Sequence, residues 1–552
     1  MNALASTRYA LRGTVVTMDS TNTVLPGETV YVDGATIAAV QPKGAPAPPN
    51  FAGIAPVDTR GTIYPGLIEL HNHLSYNALP LWSVPKLFSN RDQWTAIPQY
   101  HQLVTGPMSV LGQTPGCLEA IVRYVECRCL LGGVTTSQGI ALTSNEGITK
   151  HYRELVRNVE APANPLLPAA ATHILDVEAK DAGKFMARLE SSSCLLLHLS
   201  EGTNTAAHNH FDALHLPDGS WALAKSLAGI HCVALTATDF QTMQAHGASM
   251  IWSPLSNLLL YGQTADLQAA KASGILMALG SDWAPSGSKN LLGELKVARL
   301  VSGQQANAGP VFSDLELVAM ATRNPAKIVS WDKALGSIEA GKLADLMVVK
   351  GTEGDPYAHL LTASESAVAL VVINGIPRYG AKSLMQDIAP AAEPWTVGST
   401  SQILNLAQAD ADPDIAAVTL RQACATLKQA LQDLPSLAKR PPAAAGPAAT
   451  KTLDHDPAER DLALRGPAPR WSLVLDHNDA DGLAHRPHLP FKGVLTAMPR
   501  PETLTAAVPP LPLIPEVLED LTVADDKAGL LGKLGNEPNL PDYIKSGLPK
   551  LY

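Results

Sequence analysis

The sequence predicts an α/β protein: a (β/α)8 barrel of the TIM type, carried by a discontinuous β-sandwich and followed by a C-terminal extension. Three observations predict it. Strand-like and helix-like segments alternate over about residues 66–334, the pattern of a parallel barrel. Patches rich in β-branched residues lie on both sides of that stretch. Beyond about residue 390 the composition changes again, to an amphipathic helix and then to Pro and Ala. No Gly-x-Gly-x-x-Gly follows a predicted strand, which argues against a doubly wound sheet.

Taken in order, residues 1–65 and 335–390 supply the two halves of the sandwich. Its strands include Arg12–Met18, Glu28–Val40 with a hairpin turn at Asp33-Gly34, Ala344–Val349 and Ala367–Gly375. The barrel occupies residues 66–334. Its predicted strands are Leu67–His73, Gly133–Gln138, Pro168–Leu175, Leu195–Ser200, Ile230–Leu235, Ser249–Trp252 and Ile275–Gly280. Helices are predicted at Cys117–Leu131, Ala182–Glu190, Asp239–His246, Thr264–Ser273, Asn290–Val301 and Ser313–Arg323. Residues 391–470 hold a helix and a Pro/Ala-rich linker. The helix is capped by Asp412, has Pro413 in its first turn, and ends before Pro435. Residues 471–552 form an extension broken by prolines, ordered where it docks on the barrel or on a second subunit. Asp476–Gly482 lacks the spacing of a calcium loop and reads as a solvated turn.

Bulk composition narrows the partners. Of 552 residues, 46% are hydrophobic and 17% charged, enough to core more than one unit. The formal net charge of −10 argues against nucleic acid or an anionic membrane as the main partner. Six scattered cysteines make no disulfide framework and read as buried thiols in a reducing compartment. There is no basic segment followed by an apolar core at the N-terminus, and no membrane-length apolar run, so a cytoplasmic location is expected. The expected partner is a small-molecule substrate, and a homodimer is compatible with the chain.

The chemistry gathers at strand ends. His71-Asn72-His73 closes the first predicted barrel strand, where i and i+2 share a face. Leu195-Leu-Leu-His198-Leu-Ser-Glu201 places a histidine and a carboxylate at the end of another. His231 follows Gly229-Ile, and Gly280-Ser-Asp282 ends the last. Barrel strand ends converge on one mouth, so His71, His73, His198 and Asp282 can meet. Three imidazoles and a carboxylate suit Zn²⁺, with Fe²⁺ as the alternative. Singly, each residue also fits a plainer role: a core histidine, a turn aspartate, a helix cap. Their joint order, each at a strand end, favours the metal site.

These motifs resemble the amidohydrolase superfamily, specifically its mononuclear aminohydrolase branch, which includes triazine hydrolases and the guanine and adenosylhomocysteine deaminases. The resemblance covers about residues 10–380. It rests on Pro65–His73, Leu197–Glu201, His231, Ser256-Asn257, Gly280–Asp282, Ala321–Ala326 and Leu335–Leu346. It implies one metal ion on His71, His73, His198 and Asp282, with Glu201 and His231 as catalytic groups that are not ligands. Asp282 would also accept the proton of the attacking water. Binuclear relatives use a bridging lysine on the fourth strand; Lys180 and Lys184 fall at a predicted helix start instead.

The implied reaction is hydrolysis of a C–N bond, most readily deamination of an N-heterocycle. Hydrolysis of an amide, a cyclic amide or a carbon–halogen bond is the second reading, and a non-catalytic scaffold the third. Two departures from the deaminase pattern, Trp252-Ser-Pro and Trp283-Ala-Pro-Ser-Gly, set tryptophans near the mouth. The loop from Leu74 to about Met108 carries Trp82, Arg91 and Trp94 over it. Substrate contacts are therefore expected from Trp82, Arg91, Trp94, Trp252, Asn257 and Trp283, against the plainer reading that the indoles pack the rim and Arg91 makes a structural ion pair. His208-Asn-His210 falls on a predicted helix, where i and i+2 point about 200° apart and cannot share an ion.

Overall fold

Strands from both ends of the chain meet in one sheet. In the computed structural model this mixed sheet has nine strands, running Glu393–Val397, Thr400–Leu404, Ile376–Ala381, Val368–Ile373, Leu346–Lys350, Val57–Pro65, Arg8–Val16, Val24–Asp33 and Thr36–Gln41 from edge to edge. The structure describes residues 3–144, 149–153, 155–304, 309–386, 392–408, 412–439, 471–475 and 511–552. The expected Pro/Ala linker at 440–470 and the turn at Asp476–Gly482 lie outside the described residues. The hairpin expected at Asp33-Gly34 forms, with Asp33 opposite Thr36 and Gly34 at φ +57°. The two flanks join where Leu346–Lys350 pairs with Val57–Pro65. Tyr9, Leu11, Val30, Ile63, Val348 and Leu370 pack there in a cluster of their own.

The middle of the chain is a mixed α/β fold with parallel sheets. One sheet joins Leu67–Glu69, Val134–Ser137 and Arg157–Asn158. A second joins Ala171–His173, Leu195–Leu199, Leu227–His231, Ser249–Trp252 and Leu276–Leu279, in chain order and all parallel. Backbone bonds connect the two sheets at both margins. Ala170 N–H donates to Val159 O at 2.8 Å. On the other side Asp282 N–H donates to His71 O at 3.0 Å and His73 N–H to Asp282 O at 2.9 Å.

Several predicted bounds shift for identifiable reasons. The first strand ends at Glu69, so His71 and His73 stand just past it, held by a single parallel bridge between Asn72 and Asp282. The expected Ile230–Leu235 strand is instead Leu227–His231, because His231 and Cys232 take positive φ of 67° and 52° and turn the chain away. The expected Pro168–Leu175 strand shortens to Ala171–His173. Trp252-Ser-Pro leads into an unforeseen helix, Pro254–Tyr261, with proline in its first turn and Gly262 left-handed at its end.

The amphipathic stretch after Asp412 breaks in two. A short helix, Pro413–Ala416, is followed by Leu420–Gln432, which restarts on a capping box between Thr419 and Gln422. Pro435 does not end a helix but opens the next short one, Leu434–Leu437.

The extension packs over the elements that frame the site. Glu519 N–H bonds Ala78 O at 3.2 Å, and Asn539 Nδ2 bonds Leu259 O at 3.0 Å. Glu519 also pairs with Lys289 in a buried ion pair. Among the described residues no helix is long and apolar enough to cross a membrane. The six cysteines are free, and five of them are buried.

Candidate metal centre and active site

Four donor atoms converge beyond the parallel strands. His71 Nε2 lies 3.2 Å from His198 Nε2, and His198 Nε2 lies 3.3 Å from His73 Nε2. Asp282 Oδ1 is 3.4 Å from the Nε2 atoms of both His71 and His73. Ligands about 2.0–2.1 Å from a tetrahedral ion stand roughly 3.3–3.4 Å apart, so this donor set fits one small divalent cation. Three imidazole nitrogens crowded edge to edge otherwise have no reason to face each other.

The surroundings prepare these groups as ligands. Burial holds the His71 and His198 imidazoles well below their ordinary pKa, and neighbouring cationic groups add to the effect. They are therefore neutral, the form that offers a lone pair. His71 Nδ1 pairs with Ser253 Oγ at 2.6 Å, which leaves Nε2 to the cluster. Burial pushes the Asp282 carboxyl up, while His73 and His231 pull it back down. Ser200, His231 and Asp282 carry positive φ of 52°, 67° and 64°. For residues other than glycine that conformation costs about 1–2 kcal/mol each, and here it aims the strand ends into the site.

Glu201 and His231 stand beside the donor set without joining it. His231 Nε2 is 3.7 Å from Glu201 Oε2, and Arg91 Nε is 3.9 Å from the same oxygen. Glu201 Oε2 is buried and has no hydrogen-bond partner among the described residues. Its other oxygen is taken: Tyr261 Oη donates to Oε1 at 2.7 Å. Trp94 Nε1 donates in turn to Tyr261 Oη at 2.7 Å. An indole N–H can only donate, so the tyrosine hydroxyl must point its hydrogen at Glu201. Oε1 is thus a fixed acceptor, and a proton on Glu201 sits on Oε2, facing His231 and the cleft.

His73, Arg91, Trp94, His198, Glu201, His231, Asp282 and Trp283 line one small cleft. Trp283 stacks edge-on to His73, with centroids 5.5 Å apart, and its indole donates to Ser286 Oγ at 2.5 Å. Arg91, Trp94 and Trp283 therefore lie where the sequence placed them. Three other expected substrate contacts do not. Trp82 packs behind the cleft against Phe88 and Tyr100. Trp252 is fully buried, packs near Phe312 and bonds Thr264 Oγ1 at 2.7 Å, because its strand turns the indole into the layer between sheet and helices. Asn257 is fully buried and bonds His231 Nδ1 at 2.8 Å from behind.

His208 and His210 stay apart from the centre, as their helix Thr205–Asp212 requires, and pair with Asp239 and Asp176. Lys180 and Lys184 are exposed, in ion pairs with Glu178 and Asp181. Sequence reasoning missed Tyr261, Ser253 and Thr264. One signal was there to find: Asn257 and Tyr261 are i and i+4, one face of the Pro254–Tyr261 helix. That face looks into the site.

The amidohydrolase family profile matches residues 62–376. A 5-methylthioadenosine/S-adenosylhomocysteine deaminase from Thermoanaerobacter pseudethanolicus is 23% identical over 403 residues, spanning 65% of this chain and 91% of that protein. Among solved structures, guanine deaminase of E. coli superposes with a TM-score of 0.51 at 15% identity, over 67% of this chain and 99% of that one. The zinc complex of atrazine chlorohydrolase from Arthrobacter aurescens TC1 gives 0.50 at 19% identity, over 67% and 94%. At these identities the two structures speak for the fold.

Proposed function

The chain belongs to the amidohydrolase family, hydrolases of carbon–nitrogen bonds other than peptide bonds, and on that premise we propose that it deaminates an N-heterocyclic small molecule with the help of one divalent metal ion. The eight parallel strands are read as a closed (β/α)8 barrel, which the backbone bonds at both sheet margins support. The nine-stranded sheet around it is read as the discontinuous sandwich, supported by its separate apolar cluster.

In this reading His71, His73, His198 and Asp282 hold the ion, Zn²⁺ first and Fe²⁺ second. The ion supplies Lewis-acid chemistry that makes an attacking water reactive near neutral pH. The protein groups do the rest. Asp282 accepts the proton of the attacking water. His231 donates from Nε2 to the oxygen that becomes bonded to the ring carbon. Glu201 delivers a proton from Oε2 to the adjacent ring nitrogen, so the trigonal carbon becomes tetrahedral without a buried anion. The proton taken by Asp282 then passes to the amino group, the hydroxyl on the tetrahedral carbon returns a proton to Glu201, and the carbon expels ammonia as the carbonyl forms. Arg91 lies close enough to polarise Glu201, and Trp94 and Trp283 wall the flat ring.

One observation carries the proposal: Glu201 Oε2, buried and unpartnered, faces the cleft beside His231 while its twin oxygen is held by Tyr261. A proton delivered to a ring nitrogen needs such an oxygen. The relatives named for 5-methylthioadenosine and S-adenosylhomocysteine suggest an adenine nucleoside thioether as first probe. A second cleft, lined by Gln138, Glu160, Thr172 and Val474 among others, opens beyond His73 and offers polar groups to a substituent. The test is ammonia release from 5′-methylthioadenosine by zinc-loaded protein, with amides and chlorinated triazines in parallel. A carboxylate or chloride product without ammonia from any heterocycle would overturn the deaminase reading.

A further inference from the structure

We propose that Thr264, linked to Trp252 and Asn257, is a positioning residue that fixes the proton of neutral His231 on Nε2, so that His231 is a hydrogen-bond donor to the reacting oxygen and not a fifth ligand. The inference rests on the reading of His231 given above. It starts from a group with no choice. Trp252 Nε1 is a donor only, and it lies 2.7 Å from Thr264 Oγ1. The threonine oxygen therefore accepts from the indole. Its own hydrogen must go elsewhere, and its only other hydrogen-bond partner among the described residues is Asn257 Oδ1, at 3.1 Å. With the threonine hydrogen on it, that end of the amide is the oxygen. Asn257 Nδ2 then faces His231 Nδ1 at 2.8 Å and donates to it. Nδ1 is an acceptor, and the one proton of the neutral ring sits on Nε2.

Burial makes the chain of donors hard to reverse. Trp252 and Asn257 are fully buried and His231 is 1% exposed, so bulk water does not reach the bond between amide and imidazole, while Thr264 itself is partly exposed. Reversing the amide would set its N–H₂ against a threonine oxygen already accepting from the indole, would leave the threonine hydrogen without a protein acceptor among the described residues, and would turn the amide oxygen to His231 Nδ1. The consequence reaches the metal site. One nitrogen from each of His71, His198 and His231 lies within 4.8 Å of the others, a trio that could itself grip an ion. A protonated Nε2 has no lone pair to offer, and the cation is left to the His71, His73, His198 and Asp282 set.

Two kinds of measurement test this on the zinc-loaded full chain. The tautomer is read by ¹⁵N NMR of histidine-labelled protein, with His231 assigned by its absence in His231→Gln. The expected wild-type signal is Nε2–H, and Asn257→Asp, which turns the partner into an acceptor, should move it to Nδ1–H. Steady-state ammonia release from 5′-methylthioadenosine supplies the second. Thr264→Val, which keeps the shape and removes the hydroxyl, should lower kcat by roughly 10–100-fold with KM and zinc content unchanged. Thr264→Ser, which keeps the hydroxyl, should restore kcat. A wild-type His231 protonated at Nδ1, a Thr264→Val kcat close to wild type, or a failure of Thr264→Ser to restore it would each overturn the proposal. An Nε2–H signal in a protein that releases no ammonia would support the relay and tell against the deaminase reading instead.

Discussion

Replacing Tyr261 by Phe isolates one hydroxyl. The ring is buried at 3% exposure, and Phe keeps its packing, so the effect comes from the polar groups it leaves behind. Two bonds of 2.7 Å disappear. Trp94 Nε1 loses its acceptor, and a stranded buried donor costs about 1–3 kcal/mol. Glu201 Oε1 loses its donor, and a bond to a charged group contributes about 1.5–3 kcal/mol. The first loss acts on folding and should appear as a lower melting temperature. The second acts where Glu201 shuttles its proton. At about 1.4 kcal/mol per tenfold it predicts a fall in kcat of roughly 10–100-fold. Zinc content should hold, because Tyr261 touches none of the four donors. The assay is ammonia release at saturating substrate, with metal analysis and a thermal melt on the same preparation. A kcat within about two-fold of wild type, alongside a lowered melting temperature, would refute the argument: Tyr261 would then hold the wall of the cleft and not the carboxylate.

Other residues give sharper separations. His198→Ala and Asp282→Ala should lose bound zinc, whereas Glu201→Gln should keep it and lose turnover; equal zinc in all three would undo the assignment of donors. Glu519→Ala leaves the buried Lys289 ammonium without its carboxylate, a cost of about 3–5 kcal/mol that a melting curve reads directly. Burial pulls the Lys296 ammonium from its ordinary 10.5 down to about 8, while Glu365 opposes the shift. Between pH 8 and 10.5 the unfolded chain then binds more protons than the folded one, so this residue makes stability rise with pH across that window. Lys296→Met should melt above wild type at pH 7, with the gap shrinking by pH 10; a gap independent of pH would sink the argument.

The donor set was legible because its members announce themselves. A histidine or aspartate that ends an apolar run, as in Leu195–Glu201 or Ile275–Asp282, has few plain reasons to be there. The groups that steer the donors were not legible. Thr264 sits in a loop of ordinary composition, and its role depends on an indole 12 positions away turning inward. Trp252 itself misled, since proximity to a strand end says nothing about which way a buried ring points. The Arg157–Asn158 strand escaped because it has two residues, both polar, and no apolar run. Arg157 is held by a buried pair with Asp345 at 2.8 Å, which ties that strand to the nine-stranded sheet, and pairing over that distance in sequence leaves no local signature.

The docking of the extension carries a consequence for the order of events during synthesis. Asn539 bonds Val84 O across 455 positions, so the loop that frames the cleft leaves the ribosome long before the segment that docks on it. At about 5–20 residues per second that interval is roughly 20–90 s. For that time the carbonyls of Ala78, Val84 and Leu259 wait for the donors that the extension brings, so the elements framing the site gain their last bonds after the parallel strands have left the ribosome.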